Sequence, residues 1–448
     1  MMLSLTQDKS TLAILQTGRV RLRLKVKGIV QGIGFRPYVY KLSRARNLDG
    51  FVMNTTWGVL MELEGSSKQV VDLVRQLEQS PPLNCDIWEM DSEIVSPRNE
   101  SGFSIVPSSS QHGQVTPALP DLAICDECRA EISDPGNRRY RYPFTSCIRC
   151  GPRYSIITRL PYDRSSTAMA EFTMCQQCQA EYDDPDDRRF HAEANACPDC
   201  GPILSLLSKE GEETVTGNLA LTSITEFIRS GKIVAMKGLG GFQLLADARN
   251  ESVVRKLRNR KQREFKPFAV MFKSLDDLEQ ACYVSVNERQ LLSGRERPIV
   301  ILRRRPGWSG IADAIAPGNP YIGVMLPYTP LHYILMQYLQ FPVVATSGNI
   351  SQDPIITENN TAVIELGNIA DAFLVHNRNI VRPLDDSVVQ EVCGSEQVLR
   401  LARGYAPLSV KAVNIDAGLV AMGGHVKTAL AATGLDRVVL GLLYVVQG

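Results

Sequence analysis

One cysteine-rich sentence is written twice in this chain. "CDECRAEISDPGNRRYRYPFTSCIRCGP" begins at Cys125, and "CQQCQAEYDDPDDRRFHAEANACPDCGP" begins at Cys175. Eight of the 11 cysteines fall in four Cys-x-x-Cys pairs, 18 residues apart within each copy and 24 between copies. At an offset of 50, Ala130/Ala180, Glu131/Glu181, Asp134/Asp184, Pro135/Pro185, Arg138/Arg188, Gly151/Gly201 and Pro152/Pro202 are identical. A Cys-x-x-Cys turn presents two thiolates to one tetrahedral cation, and two such turns complete a closed four-thiolate shell with no position left for substrate. Two structural zinc ions are therefore expected. One pairing puts Cys125, Cys128, Cys147 and Cys150 on one ion and Cys175, Cys178, Cys197 and Cys200 on the other. A crossed pairing has the same spacings, and the sequence leaves both open. His191, inside the second copy, reads as a surface histidine and not as a fifth ligand. Cys85, Cys282 and Cys393 lack ligand spacing and read as small buried or half-buried hydrophobes.

Metal is preferred to disulfide because the chain starts "MMLSLTQDKSTLAILQTGR", without a basic leader region, and Asp8 and Lys9 interrupt any apolar one. The expected compartment is the reducing cytoplasm. The stretch 108–205 is poor in long apolar periodic segments, so zinc replaces a missing core there, and the doubled sentence becomes a rigid spacer or docking surface. With 448 residues, two to four domains are expected. The 49 basic and 48 acidic residues give no global basic field, so RNA or DNA binding is not expected. No apolar run has membrane-spanning length.

Before the doubled sentence, "VRLRLKVK" (20–27) alternates apolar and basic residues, the pattern of a half-buried strand. A glycine-rich turn, Gln31–Phe35, follows. Arg36-Pro37 then opens a helical pattern with Tyr38, Leu42 and Ala45 on one face. "FVMNTTWGVLMELEG" reads as a hairpin, "SSKQVVDLVRQLEQS" as a serine-capped helix, and "CDIWEMDSEIV" and "GFSIV" as final strands. This order, β-α-β-β-α-β, predicts a ferredoxin-like sandwich. A glycine loop entering a helix N-terminus aims N–H groups at an anion, and Arg36 adds a forked cation. Asn54 is a neutral group able to hold a water. The segment resembles acylphosphatases through "GIVQGIGFR" (Gly28–Arg36) and "GFVMN" (Gly50–Asn54). The resemblance implies that Arg36 binds a phosphoryl group and Asn54 orients the attacking water.

After the doubled sentence the composition turns to that of an α/β domain. "ITEFIRSGKIVAMKGLGGFQLLADA" reads as helix, strand and a glycine-rich turn carrying Lys237. Seven basic residues lie between Arg255 and Lys266 and run into the apolar strand "KPFAVMF", which suggests cations gathered at a strand edge for a nucleotide triphosphate. "PVVATSGNIS" ends a strand with Ser347, Asn349 and Ser351, and "RPLDDSVV" offers Asp385 and Asp386, a pair suited to magnesium. "RRRP" at 303–306 reads as solvated surface. The stretch 206–404 resembles the YrdC-like family through "MKGLGGFQL", "RNRKQREFKPFAVM", "LPYTPLH" and "TSGNIS". That resemblance implies Lys237, Arg260, Lys261, Arg263, Lys266, Ser347 and Asn349 around ATP phosphates, with His332 on the side of a small acid.

The order of the parts resembles the HypF carbamoyltransferase family. The expected fold class is multidomain, α+β and α/β. The expected domains are an N-terminal tail (1–19), a ferredoxin-like acylphosphatase domain (20–107), tandem four-cysteine zinc fingers (108–205), a YrdC-like twisted α/β domain for ATP and carbamate (206–404), and a fragment of an actin/Hsp70-type domain (405–448). In that last piece "GGHVKTALAATG" (Gly423–Gly434) would be a phosphate hairpin with Lys427 reaching a nucleotide. The chain is expected to lack the rest of that domain. The resemblance implies hydrolysis of carbamoyl phosphate, formation of carbamoyl adenylate from carbamate and Mg-ATP, and, in the full-length family, carbamoyl transfer to the C-terminal cysteine of HypE. The alternative is a threonylcarbamoyl-adenylate synthase acting in tRNA modification.

Overall fold

The computed structural model describes residues 18–109, 119–350, 353–412, 414–423, 428–434 and 437–443. Most of the expected N-terminal tail, Ser351 and Lys427 lie outside them.

The first unit runs β1 (Arg19–Ile29), α1 (Phe35–Ala45), β2 (Asp49–Thr55), β3 (Gly58–Ser66), α2 (Ser67–Gln79), β4 (Asp86–Val95) and β5 (Phe103–Ile105). The sheet order is β4-β1-β3-β2-β5, with β5 parallel to β2 at the edge. The first four strands give the expected ferredoxin-like arrangement. Leu22, Leu24 and Val26 turn into the core, but the basic residues of β1 do not simply face water. Arg21 is wholly buried, its Nε 2.7 Å from Glu62 and its Nη1 2.8 Å from Glu64 on β3. A charge so far from water persists because opposite charges stand on the neighbouring strand. In α1 the buried face is Phe35, Val39 and Ser43 rather than Tyr38, Leu42 and Ala45. Ser66 caps α2 reciprocally with Gln69, as its serine suggested.

The doubled segment holds two eight-residue helices, α3 (Asp126–Ser133) and α4 (Gln176–Asp183), each preceded by the first cysteine of its copy. The copies interlock reciprocally. Arg139 ion-pairs with Glu181 (2.5 Å), and Arg189 ion-pairs with Glu131. Arg138 Nη2 lies 3.2 Å from Cys178 Sγ, and Arg188 Nη1 lies 3.1 Å from Cys128 Sγ. The in-register identities Glu131/Glu181 and Arg138/Arg188 are thus the contacts of a self-complementary interface, the arrangement a two-fold axis produces.

The third unit contains β6 (Leu204–Leu207), β7 (Glu213–Thr216), α5 (Gly217–Arg229), β8 (Val234–Lys237), β9 (Phe242–Asp247), α6 (Glu251–Arg260), β10 (Ala269–Met271), α7 (Leu275–Ala281), α8 (Val286–Ser293), β11 (Ile299–Arg303), β12 (Tyr321–Met325), α9 (Pro330–Leu339), β13 (Val343–Ser347), α10 (Asn359–Leu366), β14 (Ala372–His376), β15 (Val388–Val392) and β16 (Ser395–Arg400). Its strands form one mixed sheet, β16-β15-β11-β12-β10-β13-β9-β8-β14-β6-β7. Alternate residues of β8 and β9 feed two cores. Val234, Met236 and Leu245 pack against α5, α9 and the finger residues Ile132, Phe144 and Ile156. Ala235, Leu244 and Ala246 pack against α6, α7 and α8. Strands buried on both faces read as unbroken apolar runs. The finger unit is therefore more than a spacer, because it shares a core with the sheet.

The chain continues into β17 (Leu408–Lys411), β18 (Val420–Met422), β19 (Thr428–Gly434) and β20 (Arg437–Leu443), a sheet of order β17-β20-β19-β18. Val410, Leu419, Val420 and Met422 are exposed there. Arg437 ties this sheet to the first unit through Asp86 (3.0 Å) and stacks over Trp88.

Candidate active sites and metal centres

The cysteines gather within copies. Cys125, Cys128, Cys147 and Cys150 form one cluster, and Cys175, Cys178, Cys197 and Cys200 the other. This settles the pairing against the crossed arrangement. Three sulfur separations are 3.5–3.8 Å in the first cluster and three are 3.6–3.7 Å in the second, and all four sulfurs of each lie within 4.8 Å of one another. A tetrahedron with Zn–S bonds of about 2.3 Å has edges of about 3.8 Å, so both clusters fit zinc. Of the other cysteines Cys282 is buried and Cys85 half-buried, but Cys393 is exposed in the tight tip between β15 and β16.

The first candidate active site lies where the glycine loop enters α1. Gly34 caps the helix at φ 77°, and a Cβ there would stand 2.9 Å from Ile148 of the first finger. The loop therefore needs glycine for conformation and for close approach. Gln31 donates to the carbonyls of Thr55 (2.6 Å) and Gly58 (2.8 Å) and accepts from the Tyr162 N–H (2.9 Å), pinning the loop to the β2–β3 hairpin and to the inter-finger segment. Arg153 reaches the Gly32 carbonyl (2.6 Å). Arg36 and Asn54 meet in one small cavity of about 20 Å³. Arg36 is held by Asp163 at Nη1 and Glu193 at Nη2, both at 2.8 Å. Burial would discharge Arg36, but Glu193 and then Asp163 outweigh it and hold the guanidinium charged. Asn54 Nδ2 donates to the Tyr162 carbonyl (3.1 Å), while its Oδ1 is buried without a partner among the described residues.

His191 is a correction to the surface reading. It lines this cavity, and burial, then the charge of Arg36, depresses its pKa to about 4. Sequence reasoning missed Asp163, Glu193 and Tyr162, which belong to another unit and follow no local motif. The offset-50 comparison held one signal, since Glu193 stands where the first copy has Pro143.

The second candidate site is a cavity of about 260 Å³ at the C-terminal end of β13, between β10, β12 and the segment before β15. Arg263, Lys266 and Ser347 line it, with Thr346, Asp385, Asp386 and Arg400. The basic run does not converge as a block. Lys256 and Arg260 ion-pair with Asp371, and Arg258 caps carbonyls including those of Ala314 and Ile315. Lys261 is buried, donating to the carbonyls of Ser347 and Asn349 (both 2.7 Å). It fixes the loop rather than lining the cavity. Only Arg263 and Lys266 of the seven face the space. Burial brings the Arg263 guanidinium down to about 10. Ser347 Oγ donates to Asn349 Oδ1 (2.7 Å).

Lys237 ends β8 away from this lining, buried, with Nζ 2.9 Å from Asn359 Oδ1, and desolvation lowers its pKa to about 8. His332 is fully buried between Thr329 and Gln243 (both 2.8 Å) and does not line this cavity. It orders a network instead. Gln243 donates to Tyr328 Oη (2.9 Å) and Asp386 Oδ2 (2.8 Å), and Asp386 pairs with Arg403 (2.7 Å). Asp385 and Asp386 are thus not a surface pair. Arg303–Pro306 is partly tied down too, Arg304 to Asp313 and Arg305 to the carbonyls of Glu279 and Cys282.

Fold and sites define a protein in which an acylphosphatase-type domain is joined through paired four-cysteine fingers to a YrdC-type domain. The acylphosphatase family matches residues 22–105, the HypF finger family matches 124–157 and 174–207, and the Sua5/YciO/YrdC family, described as "Telomere recombination", matches 226–402. Carbamoyltransferase HypF of Synechocystis sp. is 46% identical over 410 residues, covering 91% of this chain and 53% of that protein. Carbamoyltransferase HypF2 of Cupriavidus necator is 44% identical over 437 residues, covering 93% and 54%. A crystal structure of full-length HypF in the phosphate- and nucleotide-bound form matches with a TM-score of 0.90 at 40% identity, covering 95% of this chain and 56% of that one. The chain belongs to the HypF carbamoyltransferase family and spans about half the length of the curated relatives it matches. Among the described residues no helix is long and apolar enough to cross a membrane.

Proposed function

We propose that the chain carries the first two steps of a carbamoyl transfer. Arg36 and the loop N–H groups bind the phosphoryl group of carbamoyl phosphate, and Asn54 orients the attacking water through its unpartnered Oδ1. Carbamate and phosphate result. The acyl-oxygen leaving group is already good, so positioning and charge neutralisation suffice without a covalent nucleophile. At the second site carbamate attacks the α-phosphorus of Mg-ATP, giving carbamoyl adenylate and pyrophosphate. Arg263, Lys266 and Ser347 face the nucleotide there, Lys261 and Asn349 hold the loop that carries Ser347, and the His332–Gln243 network positions Asp386. Magnesium supplies charge neutralisation on the phosphates when bound. Lys237 and Arg260 act on the framework of the site. The zinc ions are structural. The adenylate made by this chain serves as the donor for carbamoyl transfer to HypE.

The observation that carries the reading is the meeting of Arg36 and Asn54 in one cavity, in a chain that also holds the second site. The test is ATP–pyrophosphate exchange with carbamoyl phosphate, against threonine plus bicarbonate as control. Exchange that needs carbamoyl phosphate and is lost in Arg36→Ala, with zinc content intact, is expected. Exchange with threonine and bicarbonate alone would instead make the chain a threonylcarbamoyl-adenylate synthase.

A further inference from the structure

Six of the fourteen residues lining the Arg36 cavity come from the finger unit, so the acylphosphatase-type loop does not shape its own site. Among those six, Glu193 brings the one carboxylate, and it is fully surrounded by protein. Its Oε2 accepts from the Arg164 N–H (2.9 Å) and from Tyr182 Oη (3.0 Å). Its Oε1 accepts from Arg36 Nη2 (2.8 Å). The two guanidinium nitrogens that would take phosphoryl oxygens are thus engaged by Glu193 and Asp163. A phosphoryl group that takes the fork formed by these two nitrogens meets both carboxylates there. Asp163, whose side chain is 26% exposed, can turn to solvent. Glu193 cannot, because its other oxygen stays anchored. Its Oε1 is then a buried acceptor that needs a donor. Carbamoyl carries an amino group, whereas acetyl, of the same size, carries a methyl that leaves Oε1 unpaired.

We propose that Glu193 is a specificity-determining residue that accepts a hydrogen bond from the carbamoyl amino group once the phosphoryl group has taken Arg36, and so selects carbamoyl phosphate over acetyl phosphate. This rests on the phosphoryl-binding role of the loop. Buried polar groups reject an analogue that cannot pair with them more sharply than apolar pockets reject a change in size.

The experiment measures phosphate release from carbamoyl phosphate and acetyl phosphate by the full chain, its Glu193→Gln variant, and Arg36→Ala. In E193Q the amide oxygen stays with the Arg164 N–H and Tyr182, which turns the NH2 toward the substrate amino group. The ratio of kcat/KM for carbamoyl over acetyl phosphate is expected to fall about ten- to hundredfold, the scale of one charge-assisted hydrogen bond. A folding defect lowers both substrates alike and leaves the ratio unmoved, which would overturn the proposal, as would a wild-type chain that does not discriminate. Asp163→Asn is expected to leave the ratio in place, and an equal fall there would assign selection to overall charge instead. Should E193Q be insoluble, Tyr182→Phe loosens the same anchor and must shift the ratio in the same direction. Loss of both activities in R36A with an unmoved ratio in E193Q would sink only the role of Glu193. Full activity in R36A would sink the phosphoryl site as well.

Discussion

The two finger copies build the same turn and use it differently. Arg141 and His191, fifty positions apart, both stand at positive φ (56° and 52°) after the arginine pair. In the first copy Arg141 stacks over Tyr338 of α9, and Phe144 packs against His376 of β14. In the second copy the turn sends His191 and Glu193 to Arg36. The first copy thus docks on the nucleotide-type domain and lends Ile148 to the phosphoryl-type site, while the second brings His191 and Glu193 to that site. The positions that hold zinc and lock the copies together match between them, and the positions that face the neighbours do not. Duplication supplies a symmetric frame, and divergence at a few turn positions makes it a two-faced adaptor.

The largest effect should come from testing whether the copies are independent. Cys178→Ser is expected to cost both zinc ions, not one, because Arg138 and Arg139 of the other copy pack on that cluster. Structural zinc contributes on the order of 10 kcal/mol to such units. Metal analysis after dialysis against a mild chelator reads the outcome, and retention of one ion would mean that each copy stands alone.

A smaller effect compares the reciprocal ion pairs. Glu131→Gln and Glu181→Gln each strand a buried arginine, Arg189 or Arg139, at about 3 kcal/mol. Hydrogen exchange of the finger amides should show equal losses. Unequal ones would show that the domain contacts, and not the frame, carry the unit.

The smallest effect is a pH dependence confined to the second copy. The folded pKa of His191 is depressed from 6.5 to about 4, so the unfolded chain binds its proton first. Its contribution to stability is complete above pH 6.5 and is lost as pH falls toward 4. The difference in stability between wild type and His191→Asn, which tolerates the same positive φ, should shrink across that window. A difference independent of pH would place His191 in contact with solvent. Arg141→Asn in the first copy should show no such window.

The contiguous features were legible in the sequence. Eight cysteines at fixed spacing named their chemistry, because two thiolates three residues apart meet one ion through local geometry alone. The loop at Gly28–Arg36 and the hairpin holding Asn54 were equally plain, since strand alternation and glycine conformations are short-range. The run from Arg255 to Lys266 was visible, but its division was not. Which of seven cations faces a cavity depends on Asp371, on the carbonyls of Ala314 and Ile315, and on the loop at Ser347–Asn349, each brought near by strands far apart in the chain. Burial of His332 was hidden for the same reason, because its partner Gln243 lies on β9. The pairing of cysteines within copies, the interlocking of Arg139 and Arg189 with the opposite glutamates, and the hold of Asp163 and Glu193 on Arg36 were decided only by the tertiary structure. Local spacing determines which residues can make a turn or a metal knuckle, but a buried charge takes its partner from whatever the packed fold sets beside it.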